Sequence, residues 1–438
     1  MSGKNDIVSI FQAAIKAVHP SELVPAYLHV SQNILTIGDH SFPLTTDQKI
    51  FVIGAGKATA AMALETEKIL GDHIYKGCIT TKYQHAIPLQ KIDCREAAHP
   101  IPDQNSLLAV EKTIQLLQEA TKNDIIICLL SGGASSLWAD VPEEISPADM
   151  QIVFDSLLKC GATIHENNTV RKHLSKIKGG QLLRFAPHSK WFTLILSDVP
   201  DNDLSVIASG PTVADNSTYE DALDVLKKYQ LETVIPTRVW EYLQRGAKGL
   251  FAETVKHHDP LLHIVTNIMI GTNDIAIKAA SEKAQTMGYQ VHRFHPLDGD
   301  AIITARTIIE FCKSYTGSLP ACILTGGETT LQVTGTGLGG RNQHMALTAL
   351  IEMKKRKDNE TYSLTFLAAG TDGTDGPTDA AGAIADIESI AMCVQKKLDP
   401  EAYFTNCDAY SFFKQSGGLL KTGPTQTNVM DLVLALIE

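Results

Sequence analysis

The sequence lacks an apolar run long enough to cross a lipid bilayer, so nothing in it predicts a transmembrane helix. Its first residues also lack the basic segment and long apolar core that are typical of a secretory signal. The eight cysteines show no paired spacing, which argues against both a disulfide framework and a Cys/His metal site. We therefore expect a reduced, cytoplasmic protein.

Positively charged residues are fewer than negatively charged ones: the chain has 38 Lys and Arg residues and 49 Asp and Glu residues, so its formal net charge is −11. This balance argues against nucleic acid or an anionic membrane as a partner. Hydrophobic residues make up 44% of the chain, which is typical of a globular protein. An anionic ligand would need a local basic site set against the overall field, so the positions of a few Lys and Arg residues are informative.

The length of 438 residues predicts more than one domain. Short apolar runs are followed by glycine-rich turns and then by helical patterns, as in Ile50–Ile53 before the sequence Gly54-Ala55-Gly56-Lys57. Such strand, turn and helix units predict an α/β fold with doubly wound sheets. The polar passage 248–260 is the best candidate linker, which divides the chain into domains at residues 1–250 and 261–438.

The most informative stretch is Thr325–Asn342, in which six of eighteen residues are glycine. The pattern predicts a strand over 321–324, a second short strand over 329–333 and a helix that begins near Arg341. Glycine brings main-chain N–H groups close to a ligand, and a helix start adds partial positive charge. With the guanidinium of Arg341, these features indicate an anion site. The alternative is a glycine-rich hairpin with Arg341 on the surface.

Two segments of the first half have a related character. Lys57 follows Gly54 and Gly56 at a predicted helix start, where it either contacts a ligand or is solvated. The loop Ser131–Ser136 follows an apolar strand and offers hydroxyl and N–H groups suited to a phosphate. Its alternative is a tight turn in which serine caps the next helix. The same loop matches Thr325–Thr330 in sequence pattern, which suggests two related loops.

A basic cluster predicts a short helix over 171–178, on which Arg171, Ser175 and Lys178 share one face. That face either lines an anion site or is simply solvated.

Three aspartates lie at or just beyond the ends of predicted strands, namely Asp198, Asp372 and Asp375. Carboxylates in this position can bind Mg²⁺ together with substrate phosphates. Capping of an Asx turn is the alternative, and we assign it to Asp375.

Taken in order, these blocks resemble the glycerate 2-kinase family, whose C-terminal portion is called the MOFRL domain. The resemblance runs nearly end to end. Its blocks are Gly54-Ala55-Gly56-Lys57-Ala58, Ser131-Gly132-Gly133-Ala134-Ser135, residues 168–175, Lys178-Gly179-Gly180, Ser197-Asp198-Val199-Pro200, Ser209-Gly210-Pro211-Thr212, Gly326-Gly327-Glu328-Thr329-Thr330, Gly339-Gly340-Arg341-Asn342-Gln343, Thr371-Asp372-Gly373 and Thr422-Gly423-Pro424-Thr425.

The resemblance implies ATP- and Mg²⁺-dependent transfer of the γ-phosphoryl group to the 2-hydroxyl of D-glycerate, which gives 2-phosphoglycerate and ADP. It also implies an N-terminal domain of the glycerate kinase type and a C-terminal MOFRL-type domain. We expect each to be a mostly parallel, Rossmann-like sheet covered by helices, with a cleft between the domains. The sequence permits a homodimer without indicating one.

The resemblance and the residue chemistry together assign site roles. We expect Lys57 and Arg341 to be catalytic, and Asp198 and Asp372 to bind the metal. Arg171, Lys178 and Asn342 are assigned to the substrate. The residues assigned to nucleotide or phosphate binding are Gly54, Gly56, Ser131, Gly132, Gly133, Ser135, Gly326, Gly327 and Glu328.

Two other functions compete with this interpretation. An NAD(P)-dependent hydroxypyruvate or glycerate oxidoreductase would use Gly54 and Gly56 as a dinucleotide turn. It would also need an acidic residue at the end of the second strand, and residues 74–80 offer none. A non-catalytic nucleotide or sugar-phosphate sensor would bind its ligand without releasing ADP.

Overall fold

The structure, a computed structural model, describes residues 3–355 and 363–438. The chain divides into two compact units, Val24–Ile270 and the combination of Met1–Leu23 with Gly271–Glu438, called here the first and the second unit. Within the described ranges, no helix is both long enough and apolar enough to span a membrane.

The elements are numbered along the chain. The strands are β1 (Leu28–Ser31), β2 (Ile34–Ile37), β3 (His40–Pro43), β4 (Ile50–Ala55), β5 (Ile74–Lys82), β6 (Ile92–Ala97), β7 (Ile125–Leu130), β8 (Lys190–Leu196), β9 (Val265–Gly271), β10 (Gln290–Arg293), β11 (Ala321–Gly327), β12 (Leu364–Gly370), β13 (Gly382–Ala385), β14 (Leu419–Leu420) and β15 (Asp431–Ile437). The helices are α1 (Gly3–Ala17), α2 (Pro20–Tyr27), α3 (Thr59–Leu70), α4 (Gln104–Leu117), α5 (Ala134–Leu137), α6 (Pro147–Lys159), α7 (Ile164–His173), α8 (Tyr219–Lys228), α9 (Thr237–Ala247), α10 (Asn273–Thr286), α11 (Ala301–Lys313), α12 (Arg341–Lys354), α13 (Ile387–Lys396), α14 (Pro400–Thr405) and α15 (Ala409–Ser416).

The first unit is built on a sheet with the strand order β6-β5-β4-β7-β8-β9. The strands β6, β5, β4, β7 and β8 pair with their neighbours in parallel, as predicted. Every residue of β4 and β7 is buried, because helices cover a parallel sheet on both faces. The carboxyl ends of β4, β7 and β8 therefore meet at one edge of the sheet, the edge at which ligands bind in such folds.

The helices α6, α7, α8 and α9 form a separate helical layer of the first unit. Their apolar faces share one core, to which Val153, Val170, Leu226 and Leu243 contribute fully buried side chains. The side chain of Thr163 caps the start of α7 by accepting a hydrogen bond from the Glu166 N–H. Helices α6 and α7 of this layer line the cavity described below.

The second unit has a sheet with the order β10-β11-β15-β12-β13-β14. Here the prediction of a mostly parallel sheet is wrong. Among the described strands of this sheet, the pair β10 and β11 is parallel, and the other pairs are antiparallel. The physical reason is that β15, a fully buried apolar strand, enters between β11 and β12 in the opposite direction. Local sequence patterns do not record such an insertion.

The unit boundaries also differ from the predicted domains 1–250 and 261–438. Helix α1 belongs to the second unit, where its residues Ile7, Ile10 and Phe11 are buried. The hydroxyl of Thr427 donates to the carbonyl of Val18 at 2.6 Å, which fixes the end of this segment. An amphipathic stripe predicts a helix but not the surface that it covers. Helix α1 therefore lies in the second unit and not with residues 24–250, as the predicted domain 1–250 would have it.

The passage 248–260 is not a linker between the units, because it lies within the first unit. Val255 is fully buried, and its N–H donates to the carbonyl of Gly179 at 3.0 Å. Its polar composition predicts an exposed linker, but Val255 is held by backbone hydrogen bonds to Gly179 and Asp215 of the first unit.

Candidate active site

Lys57 follows β4 in a turn that is fixed by the neighbouring strand end. Its N–H donates to the carbonyl of Gly132 at 2.9 Å, and the N–H of Gly56 donates to Thr80 at 3.1 Å. A Cβ on Gly56 would lie 2.0 Å from the Ser131 hydroxyl oxygen and 2.5 Å from its carbonyl oxygen. Only glycine allows the two turns to approach this closely, and the φ of +142° at Gly56 is also unfavourable for other residues.

The Ser131–Ser135 loop begins at the carboxyl end of β7, beside the Lys57 turn. The Ser131 hydroxyl oxygen accepts from the Ala58 N–H at 3.1 Å, so this hydroxyl serves the turn itself. Gly133 has a φ of +82°, and a Cβ there would lie 3.4 Å from Cγ of Lys57. The structure thus brings Gly54, Gly56, Lys57 and the serine loop together at one edge of the sheet.

Arg171 and Lys178 line one cavity. They do not share a helix face, although the sequence predicts that they do. Helix α7 ends at His173, and Lys178 lies in the irregular segment that follows. Three basic residues in the last turn of α7 complement the helix dipole, and Gly179 and Gly180 then take left-handed φ values of +59° and +78°. The predicted helix over 171–178 is therefore wrong, although its two basic residues do meet.

Burial lowers the pKa of both cations. It lowers the pKa of Lys178 to about 8, a shift that Asp140 opposes and Arg171 reinforces. The Lys178 ammonium donates to the carbonyls of Trp138 at 2.7 Å and Ser135 at 3.3 Å. Burial likewise lowers the pKa of Arg171, whose guanidinium lies 4.7 Å from the ring centroid of Phe154.

In the second unit, Arg341 is the first residue of α12, as the sequence predicts. Its Nε and Nη2 donate to the two carboxylate oxygens of Asp431 at 2.6 and 3.2 Å, and its Nη1 lies 2.8 Å from Glu328 Oε1. Burial opposes the charged form, but the two carboxylates outweigh it and raise the pKa of Arg341 above its ordinary value. Arg341 is therefore a permanent cation with a fixed orientation.

The glycines of β11 explain how this arrangement is packed. A Cβ on Gly326 would lie 2.1 Å from Asn273 Oδ1, and one on Gly327 would lie 2.4 Å from the Leu297 carbonyl oxygen. The predicted second strand over 329–333 does not form, because only an isolated bridge joins Asp300 and Thr330 there. Without a continuous partner strand, the alternating residues remain in a loop that leads to Arg341.

Two aspartates of the second unit have hydrogen-bond partners that the sequence did not predict. Oδ1 of Asp372 accepts from both the N–H and the hydroxyl of Thr374 at 3.0 Å, which is an Asx turn. Asp375 is buried and instead accepts from the N–H groups of Asn342 and Gln343 at 3.1 and 2.8 Å, at the start of α12. The Asx-turn assignment to Asp375 is therefore wrong.

Asp375 and Asn342 form a buried pair. Burial raises the pKa of Asp375 to about 7, with the N–H groups of α12 acting in the opposite direction. Asn342, predicted to bind substrate, is 1% exposed, and its side-chain amide lies 3.4 Å from Asp375 Oδ1. Its side chain therefore supports the start of α12 in this structure.

Asp198 follows β8 and Asp372 follows β12, and both are partly exposed. Among the described residues, no cluster of three or more His, Cys, Asp or Glu side chains could hold a metal ion. Mg²⁺ commonly takes only one or two protein carboxylates and completes its shell with water and phosphate oxygens. Each of these aspartates is compatible with such a site.

Sequence reasoning missed Asp431 entirely. This residue is the first of β15 and lies opposite Gly327 in the antiparallel register. Its carbonyl oxygen also accepts from the Asn273 side chain at 3.1 Å, which ties it to α10. A lone aspartate ahead of the apolar run Leu432–Ile437 was the available signal, but it gains meaning only from the antiparallel pairing.

Comparison with known proteins agrees with this architecture. Residues 6–244 match a family described as a domain of unknown function (DUF4147), and residues 321–431 match the MOFRL family. A glycerate 2-kinase from Pyrococcus horikoshii is 39% identical, with 97% of this chain and 95% of the relative covered. A D-glycerate 2-kinase from Thermotoga maritima is 37% identical over 98% of this chain and 97% of the relative.

The crystal structure of glycerate kinase from Thermotoga maritima superposes with a TM-score of 0.84 at 36% identity, covering 99% of both chains. Two relatives from Agrobacterium vitis carry a different name, putative hydroxypyruvate reductase, and one of them is 35% identical over the whole of this chain and 95% of its own. The fold, the glycine turns and these full-length similarities place the chain in the class of small-molecule kinases. It belongs to the glycerate 2-kinase family with a C-terminal MOFRL domain.

Proposed function

We propose that this protein transfers the γ-phosphoryl group of ATP to the 2-hydroxyl of D-glycerate, giving 2-phosphoglycerate and ADP. The observation that carries the proposal is the setting of Arg341, a guanidinium held at a helix start by Asp431 and Glu328. The full-length similarity to proteins named glycerate 2-kinase supports the choice of acceptor.

Phosphoryl transfer depends on positioning and charge stabilisation more than on a protein nucleophile. The glycerate 2-hydroxyl oxygen forms the new bond to the γ-phosphorus and loses its proton to solvent. The bond from that phosphorus to the bridging oxygen of ADP breaks, and its electron pair stays on ADP. In this proposal Lys57 and Arg341 stabilise the negative charge on the transferred group. The Ser131–Ser135 loop, which is held against the Lys57 turn, contacts phosphate oxygens.

Arg341 suits this role because its orientation is already fixed before a ligand binds. Two of its nitrogens are held by Asp431 and a third by Glu328, and its side chain remains 32% exposed. A cation in a fixed position stabilises developing charge without reorganisation. The carboxylate of Glu328 is 42% exposed, so a phosphate can displace it from the guanidinium more readily than it can displace Asp431.

Mg²⁺ is the metal that this chemistry would use. Asp198 or Asp372 is the carboxylate that would hold it, since each follows the carboxyl end of a strand. The ion would neutralise charge on the phosphates of the bound nucleotide.

The proposal is tested by measuring ADP release with glycerate, hydroxypyruvate, tartronate or lactate as the acceptor, and by locating the phosphate on the product by NMR. We expect ADP formation that depends on glycerate and a phosphate on the 2-position. Phosphate on the 3-position, or no acceptor-dependent ADP release, would contradict it. Oxidation of NADH by hydroxypyruvate without coupling enzymes would instead support the oxidoreductase name carried by two relatives.

A cytoplasmic location and a homodimer belong to the same proposal. The eight cysteines are all unpaired by disulfides, as a reducing compartment would require. Fractionation of the source cells tests the location, and sedimentation velocity tests the assembly.

A further inference from the structure

The first unit contains a cavity of about 320 Å³ next to the serine loop. Its lining includes Ser135 of that loop, Lys178, residues of α6 and α7 such as Arg171, and the segment Pro100–Pro102. This volume lies at the lower end of the range of about 300–1,000 Å³ that is typical of pockets for small molecules and cofactors.

Two positive groups meet in this cavity. Lys178 is 3% exposed, and two of the three donors on its ammonium are taken by backbone carbonyls, which leaves one for a ligand. Arg171 forms no ion pair within the described residues, and its guanidinium lies over the ring of Phe154. The two cations repel each other, so an anion between them would relieve a cost that the protein otherwise bears.

The carboxylates that also line the cavity already have partners. Asp140 accepts from the Ser175 hydroxyl at 2.6 Å and from the Lys176 N–H, and it offsets part of the Lys178 charge. Asp155 accepts from the Gln151 side chain at 2.7 Å. Neither is paired with Arg171 by an ion pair in the described chain. The guanidinium therefore remains available for a ligand anion.

The rest of the lining is mainly apolar, and much of it is exposed to solvent. Ile101, Leu158 and Ile164 are 61%, 76% and 54% exposed, and Phe154 and Met150 lie beside them. Large apolar side chains grouped around a cavity indicate a ligand with an apolar face of its own. Glycerate, a three-carbon acid with two hydroxyls, has no such face, whereas a purine base has two.

We propose that this cavity binds the adenine nucleotide, with the base against the apolar side chains of α6 and α7 and the phosphates toward Arg171 and Lys178. This assignment rests on the proposed kinase function and deepens it, because it gives the nucleotide to the first unit. It also changes the expected ligand of Arg171 and Lys178 from glycerate to the nucleotide. The Phe154 ring, already against the Arg171 guanidinium, is the natural stacking partner for the base.

The test is calorimetric titration of the full-length protein with MgADP, together with KM values for ATP and glycerate. We expect Arg171→Gln and Leu158→Glu each to raise the Kd for MgADP at least tenfold, with the KM for glycerate changed less than threefold. Leu158→Glu is informative even if Arg171→Gln folds poorly, because Leu158 is largely exposed. Ile152→Glu is the matched control, since Ile152 is exposed on the same helix but does not line the cavity.

Unchanged MgADP affinity in both variants would overturn the assignment. A raised KM for glycerate with normal MgADP affinity would also overturn it, and would give the cavity to the acceptor. Failure of the kinase proposal is a separate result, because it appears in the wild-type protein as the absence of glycerate-dependent ADP formation.

Discussion

The two units use similar glycine-rich strand ends but build different surroundings around them. In the first unit β4, β7 and β8 run parallel, so the Lys57 turn, the serine loop and Asp198 all follow strand ends at one edge. In the second unit β15 runs against β11 and β12, so it begins where they end. Its first residue, Asp431, thereby reaches Arg341.

This difference teaches how each cation is positioned. The backbone of Lys57 is held by a hydrogen bond across two turns, and the close approach of those turns depends on glycine. The side chain of Arg341 is held by two carboxylates that are distant in sequence. The first arrangement should be sensitive to backbone changes, and the second to changes of charge.

The largest expected effect follows from removing either cation. Lys57→Ala and Arg341→Ala should each lower kcat by on the order of 10³-fold, about 4 kcal/mol of transition-state stabilisation, because both charges act on the transferred group. Steady-state ADP release measures this, with Lys278→Ala as the control because the Lys278 side chain is 78% exposed. Near-normal kcat in either variant would remove that residue from the proposed mechanism. The double variant should lose less than the product of the two single effects if both charges act in one step.

The next largest effect comes from neutralising either of the two carboxylates around Arg341. Asp431 has a side chain that is 3% exposed, so Asp431→Asn should cost about 3 kcal/mol of stability and lower kcat roughly 10- to 100-fold by releasing the guanidinium. Glu328→Gln should cost less than about 1 kcal/mol, since the Glu328 side chain is 42% exposed. Thermal unfolding and steady-state kinetics of both variants give the comparison. Equal losses in the two would show that Asp431 has no special positioning role.

Backbone sensitivity is tested by adding one methyl group in each unit. Gly56→Ala should cost about 3 kcal/mol, because the new Cβ would meet backbone atoms of Ser131 at a positive φ. Gly326→Ala should cost about 1–2 kcal/mol, because the atoms nearest to the new Cβ belong to the side chain of Asn273 and not to the backbone. Gly161→Ala, at a φ of +76° in open space, controls for the backbone conformation alone. Denaturant unfolding that ranks Gly326→Ala as the more damaging would contradict the comparison.

The smallest effect concerns pH. Burial raises the pKa of Asp375 from 3.8 to about 7, so the native protein keeps a proton that the unfolded chain loses from about pH 4 upward. The resulting stability is present at low pH and is lost as pH rises toward 7. Asp375→Asn should flatten this part of the Tm profile by a few degrees, because an amide does not titrate in this range. An unchanged slope between pH 5 and 7.5 would show that Asp375 does not titrate there.

Local signals predicted much of this molecule. The buried run Ile50–Ile53, the glycine turn before Lys57 and the helix start at Arg341 depend on neighbouring residues, so sequence patterns could find them. The end of α7, the direction of β15 and the surface covered by α1 depend on distant partners, and those predictions failed or could not be made. Asp372 and Asp375 show the same limit, because two aspartates in one loop differ only in the tertiary contacts that each makes.

The placement of α1 has a consequence for synthesis. The first unit, Val24–Ile270, is continuous and can fold as it leaves the ribosome, whereas the second unit contains Met1–Leu23 and resumes only at Gly271. Because translation proceeds at roughly 5–20 residues per second, the sheet that α1 covers is completed only tens of seconds after α1 has been made. Strand β15, which lies in the middle of that sheet, is translated after every other strand of the unit. The sheet that α1 covers is therefore incomplete until β15 has been made. Until residue 437 is made, the apolar face of α1 is a natural target for chaperones.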